Sequence, residues 1–472
     1  MADLKSQQQE VFDLIIDWVT NFSSESKKIF KLIGKAGTGK STVLVELIKY
    51  LDDVKRQENK LITKALDKQL TIDNIKKIAV IAPTNKAAKV LKSKGVDSVI
   101  TIHNLLYSFE DEEEDDKTTK KKNDKLIFRR KDLDEIRDVY WFIIVDEGSM
   151  VTPTMEKDLL EINLPILLVG DSNQLPPILS PEDEEKYGRT FSALKDPHYN
   201  LTEIQRQVQG SPIIVAATKL SEGGKLNYFD HPKLPTYKYY KTIPDHLRTN
   251  ILLNSDMIIV GTNNTVKKIN TICRKLKKIN PNSYPIVNEK LIVWTSPIDL
   301  CMSNGDILIN ISPPEHTFDQ QLNWGDLPSI LVFHEDNLSH TRRIQPIFVH
   351  FLSKEDTNNY RILKSIRRSI RLRKGSRTPK FTKEHLGFME AWKIDWESYV
   401  FSTIVEVGFN SAITAHKSQG SEWDKLLVIN ESWAFKEFIN NWMYTSITRA
   451  KTNLIICDYL FPYGKNADDY YR

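Results

Sequence analysis

The stretch GKAGTGKST, residues 34–42, lies between the apolar run IFKLI and the run VLVELIKYL, whose apolar residues recur at helical spacing. It fits the pattern G-x-x-x-x-G-K-[ST], in which backbone N–H groups at the start of a helix curl around phosphate oxygens. In this pattern Lys40 reaches the β and γ phosphates and Ser41 is a ligand of Mg²⁺. A dinucleotide fold fits poorly, because the third glycine of G-x-G-x-x-G would fall at Thr42. The stretch therefore predicts a strand, loop and helix that bind a nucleoside triphosphate.

The bulk composition is that of a folded protein with several domains. The chain has 472 residues, 40% hydrophobic and 27% charged, enough for roughly two to four domains with buried cores. Its three cysteines, Cys273, Cys301 and Cys457, lie far apart and predict neither a disulfide framework nor a zinc site. Mg²⁺ bound with a nucleotide is therefore the metal that we expect. The formal net charge of +4 does not by itself indicate a nucleic-acid partner.

The sequence offers no signal for a membrane or for secretion. No apolar run is long enough to span a bilayer, and the N-terminal MADLKSQQQE lacks the basic and apolar regions of a signal peptide. We therefore expect a cytoplasmic protein with no membrane partner.

Short apolar runs recur along the chain, with helical segments between them. They include IFKLI, IAVIA, WFIIV, PILLV, MIIVG, KLLVI and NLIIC. Runs that are apolar throughout suit strands covered on both faces, so the sequence predicts an α/β fold with parallel sheets. Several runs end in polar residues, as in IAPTN, VDEGSM and VGDSNQ, at the strand ends where open α/β sheets bind ligands.

Two regions interrupt this alternation. The block EDEEEDDKTTKKKNDK predicts a solvated insertion at about 104–140. Further on, short β-type runs predict a β-rich inserted domain at 284–399. The predicted boundaries are then 1–180 for a first α/β domain and 181–283 with 400–472 for a second.

The β-rich insertion contains the basic segment RILKSIRRSIRLRKGSRTPK. A helix there would place Ile362, Ile366 and Ile370 on one stripe, with arginines over the remaining surface. Such a helix packs on its own domain or serves as a DNA-binding arm. We favour packing, because charged runs are usually solvated faces.

A pair of carboxylates follows the apolar run WFIIV. Asp146 and Glu147 in VDEGSM stand at the end of a predicted strand. Hydrolysis of a nucleoside triphosphate needs one carboxylate that holds Mg²⁺ and another that orients and deprotonates the attacking water. Asp146 fits the first role and Glu147 the second, and the upstream phosphate loop makes this assignment stronger than the pair alone would.

Hydrolysis also needs groups that sense the γ phosphate and neutralise the transition state. GDSNQLPPI supplies Gln174, LTEIQRQ supplies Arg206 and YTSITRAK supplies Arg449. Each arginine alone is more often a surface or structural residue. We expect them to act only if the fold brings the three segments to one cleft.

The ordered set of motifs resembles that of superfamily 1 helicases. The segments GKAGTGKST, IAPTNKAAKVL, TIH, VDEGSM, GDSNQLPPI, LTEIQRQ, ITAHKSQGSEWDKLLVI and YTSITRAK are similar to motifs I, Ia, Ib, II, III, IV, V and VI. SQQQEVFDLI is similar to the adenine-reading Q motif. TIH, DEGSM and SNGDI look like the 5′-to-3′ subgroup, which contains RecD-type helicases and the Dda helicase of T-even phages, with Dda as the nearest likeness.

The resemblance implies two RecA-like P-loop NTPase domains, the first with a small hairpin insertion and the second with an SH3-like insertion. It also implies a role for each matching residue. The catalytic residues would be Lys40, Glu147, Gln174, Arg206 and Arg449. The residues that contact ATP would be Gln8, Gly34, Ala36, Gly37, Thr38, Gly39, Lys40, Ser41, Thr42 and Gly420. The Mg²⁺ ligands would be Ser41 and Asp146. The residues that contact DNA would be Pro83, Thr84, Asn85, Thr101, His103, Phe128, His416, Ser418 and Gln419.

Within 104–140 the resemblance implies a hairpin that splits the duplex. DKLIFRRK is the expected hairpin strand, and Phe128 would stack on DNA at the fork. A lone phenylalanine is otherwise more often part of a core, and a lone histidine such as His416 is more often structural.

The function implied is that of an ATP-dependent motor that moves along single-stranded DNA, from 5′ to 3′, and unwinds forked duplex DNA as a monomer. Single-strand-binding or replication proteins would be its partners. One alternative is a translocase that displaces proteins without processive unwinding, which would carry identical motifs. Another is a single-strand-binding protein with a nucleotide switch, against which Glu147 argues because such a site needs no catalytic base.

Overall fold

The computed structural model describes most of the chain. The described residues are 4–23, 27–66, 76–82, 88, 91–92, 96, 99–109, 128–203, 211–228, 236–294, 306–313, 330–334, 337–348, 354–371, 381–391 and 404–462. The predicted charged block of the first insertion lies outside them.

The first part of the chain alternates strands and helices. Its elements are α1 (Ser6–Thr20), β1 (Ile29–Gly34), α2 (Lys40–Leu66), β2 (Lys77–Ala82), β3 (Val99–Thr101), α3 (Ile102–Leu106), β4 (Tyr107–Phe109), β5 (Phe128–Arg130), α4 (Leu133–Val139), β6 (Tyr140–Val145), α5 (Pro153–Glu161), β7 (Ile166–Gly170), α6 (Pro181–Tyr187) and β8 (Tyr199–Leu201). Six of these strands form a parallel sheet in the order β3-β2-β6-β7-β1-β8, the first lobe. The predicted α/β fold with parallel sheets is confirmed.

The sheet of the first lobe is buried on both faces. Successive strand residues enter opposite clusters, as Ile144 of β6 packs with α1 and α2 while its neighbours Ile143 and Val145 pack with α3, α4 and α5. Because side chains alternate across a strand, an apolar residue is needed at every position. This explains why the run YWFIIV shows no polar alternation.

The first lobe extends past the boundary predicted at residue 180. Strand β8 pairs in parallel with β1, with Leu32 opposite Tyr199 and Gly34 opposite Leu201. The boundary was wrong because this strand has three residues, too few to produce a recognisable apolar run.

Strands β4 and β5 form an antiparallel hairpin, with Tyr107 opposite Arg130. The hairpin is held against α5, where the Tyr107 hydroxyl donates to Asp158 and Arg130 donates to Glu161 and, at 2.9 Å, to the Asp158 carbonyl. The predicted insertion at 104–140 is too wide, because α3 and α4 supply buried residues such as Ile136 to the core of the lobe.

The rest of the chain builds a second sheet and a barrel. Its elements are α7 (Pro212–Ser221), β9 (Tyr237–Thr242), α8 (Asp245–Asn254), β10 (Met257–Val260), α9 (Asn263–Leu276), β11 (Lys290–Val293), β12 (Ile307–Asn310), β13 (Ile330–His334), β14 (Asn337–Ile347), α10 (Lys354–Arg371), α11 (Lys383–Ala391), β15 (Ile404–Phe409), β16 (Ala412–Thr414), α12 (Ala415–Ser418), β17 (Trp423–Ile429), α13 (Ile439–Ile447) and β18 (Ala450–Tyr459). The second lobe is the parallel sheet β16-β10-β17-β18-β9, and β11 to β15 close into a barrel.

The barrel confirms a β-rich insertion but moves its end. Strand β15 pairs with β11, with Leu291 opposite Phe409, so the barrel includes residues beyond the boundary predicted at 399. The chain re-enters the second lobe only with β16. Apolar side chains such as Leu291, Val332 and Val405 fill the barrel interior.

The basic segment lies between strands β14 and β15, and its residues 361–371 belong to helix α10, which packs on the barrel. Tyr360, Leu363 and Ile366 are buried, while Ile362 is half-buried. The Tyr360 hydroxyl and the Lys364 amine donate to Glu406 of β15, at 2.7 and 2.8 Å. These contacts support packing on its own domain. The side chain of Ile370 lies outside the described residues.

A buried arginine joins the barrel to the second lobe. Arg274 of α9 donates to the carbonyls of Ser283 at 2.9 Å and Tyr284 at 3.1 Å, and pairs with Glu289 at 3.2 Å. Its guanidinium lies 3.8 Å from the ring centroid of Phe409. A side chain with this many partners fixes the barrel on α9.

None of the described helices is long and apolar enough to cross a membrane.

Candidate functional site

The phosphate loop between β1 and α2 has the backbone that its glycines permit. Gly37 and Gly39 have φ of 86° and 85°, in the left-handed region that side chains disfavour. A Cβ at Gly34 would lie 2.5 Å from the Thr38 hydroxyl, so this position also needs glycine. The hydroxyl of buried Thr38 donates to the Lys35 carbonyl at 2.9 Å and holds the turn.

The amine of Lys40 points back into this loop. It donates to the carbonyls of Gly34 at 2.5 Å and Lys35 at 3.1 Å. The positive charge therefore stands inside the curl of the loop, beside the first turn of α2 that carries Ser41 and Thr42. A positive charge and a helix N-terminus together favour an anion such as phosphate.

The two predicted carboxylates follow β6 at the same edge of the sheet. Glu147 has φ of 52° and ψ of 42°, a left-handed conformation at the start of a short 3₁₀ turn. Burial first and the charge of Asp146 second raise the pKa of Glu147, while the charges of Arg449 and Lys40 oppose that rise. Because a carboxylate with a raised pKa is a stronger base, this environment suits removal of a proton from water.

Glu147 thus interacts electrostatically with groups from both lobes. Arg449 follows α13 of the second lobe and is 5% exposed. It donates to the Thr445 carbonyl at 3.1 Å and to the Thr448 hydroxyl at 3.0 Å, contacts that hold its guanidinium against α13. The structure therefore brings the predicted arginine to the predicted base. Arg206 lies outside the described residues.

A tyrosine that we did not single out bridges the lobes. The Tyr444 hydroxyl accepts from the backbone N–H of Ala36 in the phosphate loop at 3.0 Å and donates to Asp171 at 2.8 Å. Burial, and then the charge of Asp171, raises the pKa of Tyr444, so it remains a donor at neutral pH. Both residues belong to quoted motifs, YTSITRAK and GDSNQLPPI. Their pairing could not be read from the sequence, since they come from different lobes.

The loop after β7 inserts into the second lobe. The Leu175 N–H donates to the Thr445 hydroxyl at 2.8 Å, and its carbonyl accepts from Gln419 at 3.2 Å. The Asn441 amide donates to the carbonyl of Gln174 at 3.2 Å. Gln174 itself is 6% exposed, and its side-chain oxygen has no hydrogen-bond partner among the described residues. Gln174 is thus buried between the lobes, and its role as a γ-phosphate sensor stays a prediction.

Two neighbouring glutamines on α1 contact the first lobe differently. Gln8 is 4% exposed, donates to the Thr38 carbonyl at 3.3 Å and accepts from the Lys5 N–H at 3.1 Å. Gln7 accepts from the N–H groups of Thr202 at 3.0 Å and Glu203 at 3.1 Å. The amide of Gln8 is thus engaged with the phosphate loop, and its contact with adenine stays a prediction.

The predicted DNA residues of the first lobe are only partly described. Pro83, Thr84 and Asn85 lie outside the described residues, as do the side chains of His103 and Phe128. Thr101 ends β3, at the same sheet edge as the phosphate loop, and its hydroxyl accepts from the Asn104 N–H at 3.3 Å. Phe128 is the first residue of hairpin strand β5, as DKLIFRRK predicted.

The segment AHKSQG contains α12 and buries two of the residues that were predicted to contact DNA. Ser418 has no exposed surface, and its hydroxyl donates to the Ala415 carbonyl at 2.7 Å. Gln419 is 3% exposed and donates to the carbonyl of Leu175 in the other lobe. Both side chains are buried here, and their contacts with DNA stay predictions. Gly420 has φ of 72°, and its contact with ATP stays a prediction.

His416 and Lys417 remain partly exposed in this segment. Burial lowers the pKa of His416 to about 4, so its imidazole is neutral at neutral pH, and its ring lies 5.6 Å from that of Phe435. Burial lowers the pKa of Lys417 to about 8, and its amine lies 3.4 Å from the ring centroid of Trp294. The segment therefore presents a neutral ring and a partly desolvated cation.

Two family models match the chain in order. An AAA domain matches residues 20–180, within the first lobe, and a UvrD-like helicase C-terminal domain matches residues 410–457, within the second. These ranges contain the phosphate loop, the carboxylates, α12 and Arg449. The two matched ranges thus lie on either side of the barrel.

Individual proteins resemble the chain over different lengths. An uncharacterised protein of Acanthamoeba polyphaga mimivirus is 25% identical over 534 residues, 95% of this chain and 98% of that protein. The ATP-dependent RecD2 DNA helicase of Deinococcus radiodurans is 32% identical over 152 residues, 31% of this chain and 18% of that protein. Among solved structures, Pif1 helicase from Bacteroides, in complex with ADP-AlF3 and single-stranded DNA, superposes with a TM-score of 0.50 at 15% identity, covering 98% of this chain and 94% of that one.

The solved structure supports the two-lobed fold, and the family models identify both lobes. A specific closeness to Dda stays a prediction. With its motifs in helicase order on two parallel-sheet lobes, the chain resembles superfamily 1 helicases, and its matches to an AAA domain and to a UvrD-like helicase C-terminal domain support that resemblance.

Proposed function

We propose that the protein is an ATP-dependent DNA helicase that moves along single-stranded DNA, from 5′ to 3′, and unwinds duplex DNA. The observation that carries the proposal is the joint between the lobes. Tyr444 of the second lobe contacts both the phosphate loop and Asp171, and Arg449 acts on Glu147. A site assembled from two lobes changes when the lobes move, which is what a motor requires.

The chemistry assigned to the site is in-line attack of water on the γ phosphate of ATP. Lys40 binds the β and γ phosphates, and Glu147 accepts the proton of the water. Arg449 stabilises the charge that develops on the phosphoryl oxygens, and Gln174 senses the γ phosphate across the cleft. Arg206 is proposed for the same role from the sequence alone.

Mg²⁺ would be held by Ser41 and Asp146. A hydroxyl and a carboxylate are the oxygen donors that this ion prefers, and it usually keeps several waters beside substrate phosphates. Bound there, it would offset the negative charge of the phosphates. Among the described residues no cluster of histidine, cysteine, aspartate and glutamate offers another metal site.

Movement along DNA would follow from the loop after β7. Leu175 in that loop contacts Thr445 of α13 and Gln419 beside α12, in the segment expected to lie along DNA. A change at the γ phosphate, sensed by Gln174, is therefore one residue away from the contacts of the second lobe. Closure and reopening of the cleft would then shift the lobes along the strand.

We assign strand separation to the β4–β5 hairpin, and we infer the direction of movement along DNA from the resemblance to known helicases. The strands β4 and β5 belong to the first lobe, and Phe128 begins the second of them. The RecD2 relative is named as an ATP-dependent DNA helicase, and the 5′-to-3′ direction rests on the resemblance of the motifs to the 5′-to-3′ subgroup. A translocase without unwinding would share the motor and lack only the strand-separation step.

The test is ATP turnover with and without single-stranded DNA, for the wild type and Lys40→Ala. We expect strong stimulation by DNA that disappears in the variant. A rate of ATP turnover that is the same with and without single-stranded DNA would contradict a DNA motor. Duplexes with a 5′ or a 3′ tail then test unwinding and polarity, and displacement of a bound protein without strand separation would favour the translocase.

A further inference from the structure

Helix α5 connects the candidate ATP site with the β4–β5 hairpin. It follows the carboxylates Asp146 and Glu147 after a short turn and runs over Pro153–Glu161. Its nine residues rise about 1.5 Å each, so the helix is roughly 13 Å long. Its first turn is therefore close to the residues expected to bind and hydrolyse ATP, and its last turn lies at the strands expected to separate DNA.

The first turns of α5 are fixed to the strands that carry the ATP site. The Thr152 hydroxyl accepts from the Met155 N–H at 3.3 Å, and the Thr152 carbonyl accepts from the Glu156 N–H at 2.9 Å. The side chain of Glu156 pairs at 3.6 Å with Lys31 of β1, the strand that leads into the phosphate loop. In the turn after β6, a Cβ at Gly148 would lie 2.8 Å from a side chain of β7, so this turn is tightly packed. Helix α5 is therefore attached to both β6 and β1.

The last turns of α5 hold both strands of the hairpin. Tyr107 of β4 donates its hydroxyl to the carboxylate of Asp158. Arg130 of β5 donates to the carboxylate of Glu161 and, at 2.9 Å, to the carbonyl of Asp158. Its guanidinium also lies 3.7 Å from the Asp158 carboxylate. We call these four residues the hairpin anchor. The pairing of β4 with β5 joins the strands to each other, whereas the anchor sets their orientation on the lobe.

The hairpin anchor is partly buried and contains charged groups. The side chain of Asp158 is 14% exposed and that of Arg130 is 29% exposed. Burial first, and then the hydrogen bond to Asp158, raises the pKa of Tyr107, so its hydroxyl remains a donor at neutral pH. The hydrogen bond from Arg130 lowers the pKa of Glu161, so this carboxylate is charged at neutral pH. Hydrogen bonds with an ionised partner are roughly twice as strong as neutral ones, so the anchor holds the hairpin firmly.

We propose that the hairpin anchor couples ATP hydrolysis to strand separation, because it makes the hairpin move together with α5 and the ATP site. This rests on the proposed function, in which the hairpin separates the strands. A hairpin of two strands is at most marginally stable by itself, so it needs a support to resist the duplex that is drawn against it. Without the anchor, the lobes still hydrolyse ATP on single-stranded DNA, but the hairpin yields and the duplex stays closed. The four residues are positioning residues, which act through the hairpin.

The test compares two quantities in the full chain carrying Arg130→Gln or Tyr107→Phe. The first is the rate of ATP turnover with saturating oligothymidylate, and the second is the number of base pairs separated per ATP on a tailed duplex. We expect turnover to stay near the wild-type rate in both variants. Base pairs separated per ATP should fall about tenfold in Arg130→Gln, which loses hydrogen bonds to a charged partner. Tyr107→Phe keeps the ring and loses one hydrogen bond, so its loss should be smaller, about threefold.

Arg137→Gln is the matched control. Arg137 of α4 donates to the Ile162 carbonyl at the end of α5 at 2.9 Å and pairs with Asp134. In the described part of the chain its contacts lie outside the hairpin. The variant therefore removes the same charge beside the same helix, and it should separate as many base pairs per ATP as the wild type. Unfolding temperatures check that each variant is folded.

A double variant tests whether the anchor acts as a unit. Arg130→Gln combined with Glu161→Gln should lose little more than Arg130→Gln alone, because the two changes remove one shared interaction. Unchanged strand separation in Arg130→Gln and Tyr107→Phe would overturn the anchor and leave the helicase assignment intact. Equal losses of turnover and strand separation would also overturn it, since they would show that these residues only support the fold of the lobe. A wild type that hydrolyses ATP on single-stranded DNA and separates no duplex would contradict both the anchor and the helicase.

Discussion

Each lobe has a strand that runs into the N-terminus of a helix, and the two junctions are filled differently. In the first lobe the phosphate loop leads into α2, and Lys40 places a positive charge within it. In the second lobe the N–H groups of Gly261 and Thr262, before α9, donate to the carboxylate of Glu431 at 2.7 and 3.1 Å. One junction is arranged for an external anion, and the other is occupied by an anion of the chain itself.

This difference explains how two similar lobes can share one nucleotide. A helix N-terminus attracts negative charge wherever it occurs. The second lobe satisfies its own with Glu431, which also accepts from the Thr265 hydroxyl at 2.6 Å. It contributes instead Tyr444 and Arg449, which face the first lobe. The lobes are therefore complementary parts of one site, and the experiments below measure how much each part supplies.

The largest expected effect is that of Arg449→Ala. Removing a cation that stabilises the transferred phosphoryl group typically costs about a thousandfold or more in turnover. Binding of a fluorescent ATP analogue should be largely retained, because the phosphate loop is untouched. Arg449→Lys keeps the charge without the geometry and should recover part of the rate. Wild-type turnover in Arg449→Ala would show that the second lobe does not complete the site.

Glu147→Gln should reduce turnover by about a hundredfold or more, as expected for loss of a general base. In the wild type, turnover should fall as the pH falls through the raised pKa of Glu147, above the range of an ordinary glutamate. Folding raises the pKa of this carboxyl, so the folded state is favoured when the carboxyl is protonated. Above that pKa the carboxyl is charged, and its burial lowers the free energy of unfolding. The glutamine variant should therefore unfold at the same or a higher temperature at neutral pH. A lower unfolding temperature, or an acid limb at the ordinary glutamate value, would contradict this account.

Tyr444→Phe removes one hydroxyl that joins the phosphate loop to Asp171. We expect kcat to fall about three- to tenfold, the worth of one hydrogen bond, because the second lobe loses a contact with the loop. KM for ATP should not rise, since the N–H of Ala36 becomes available to the nucleotide. Tyr459→Phe, at an exposed position of the same lobe, is the matched control. A higher KM with unchanged kcat would mean that the Tyr444 hydroxyl supports binding of ATP rather than its turnover.

The sequence predicted the parts of the site that depend on local backbone. The phosphate loop, the carboxylates after β6 and hairpin strand β5 are short motifs whose residues are neighbours in the chain. What it missed depends on contacts between distant segments. Asp171 and Tyr444 come from different lobes, and Ser418 is buried by what surrounds α12.

The domain boundaries failed for a related reason. Strand β8 is recognised only by its pairing with β1, and β15 only by its pairing with β11. Neither pairing leaves a pattern in the sequence of the strand itself. The periodicity of apolar residues indicates which residues are buried, but it does not indicate which sheet covers them.

The smallest expected effect comes from Glu431→Gln, which tests whether the second lobe closes its own junction. The variant loses the negative charge at the N-terminus of α9 and weakens charge-assisted hydrogen bonds, which should destabilise this helix by about 1–3 kcal/mol. Faster hydrogen exchange in the first turn of α9 is the measurement, and Glu437→Gln, exposed in the same segment, is the control. ATP turnover should stay near the wild-type rate, and a non-hydrolysable analogue should still bind once per chain. An unchanged rate of hydrogen exchange would show that Glu431 does not occupy the N-terminus of α9. A second bound nucleotide would show that the charge of Glu431 alone prevents the second lobe from binding a nucleotide.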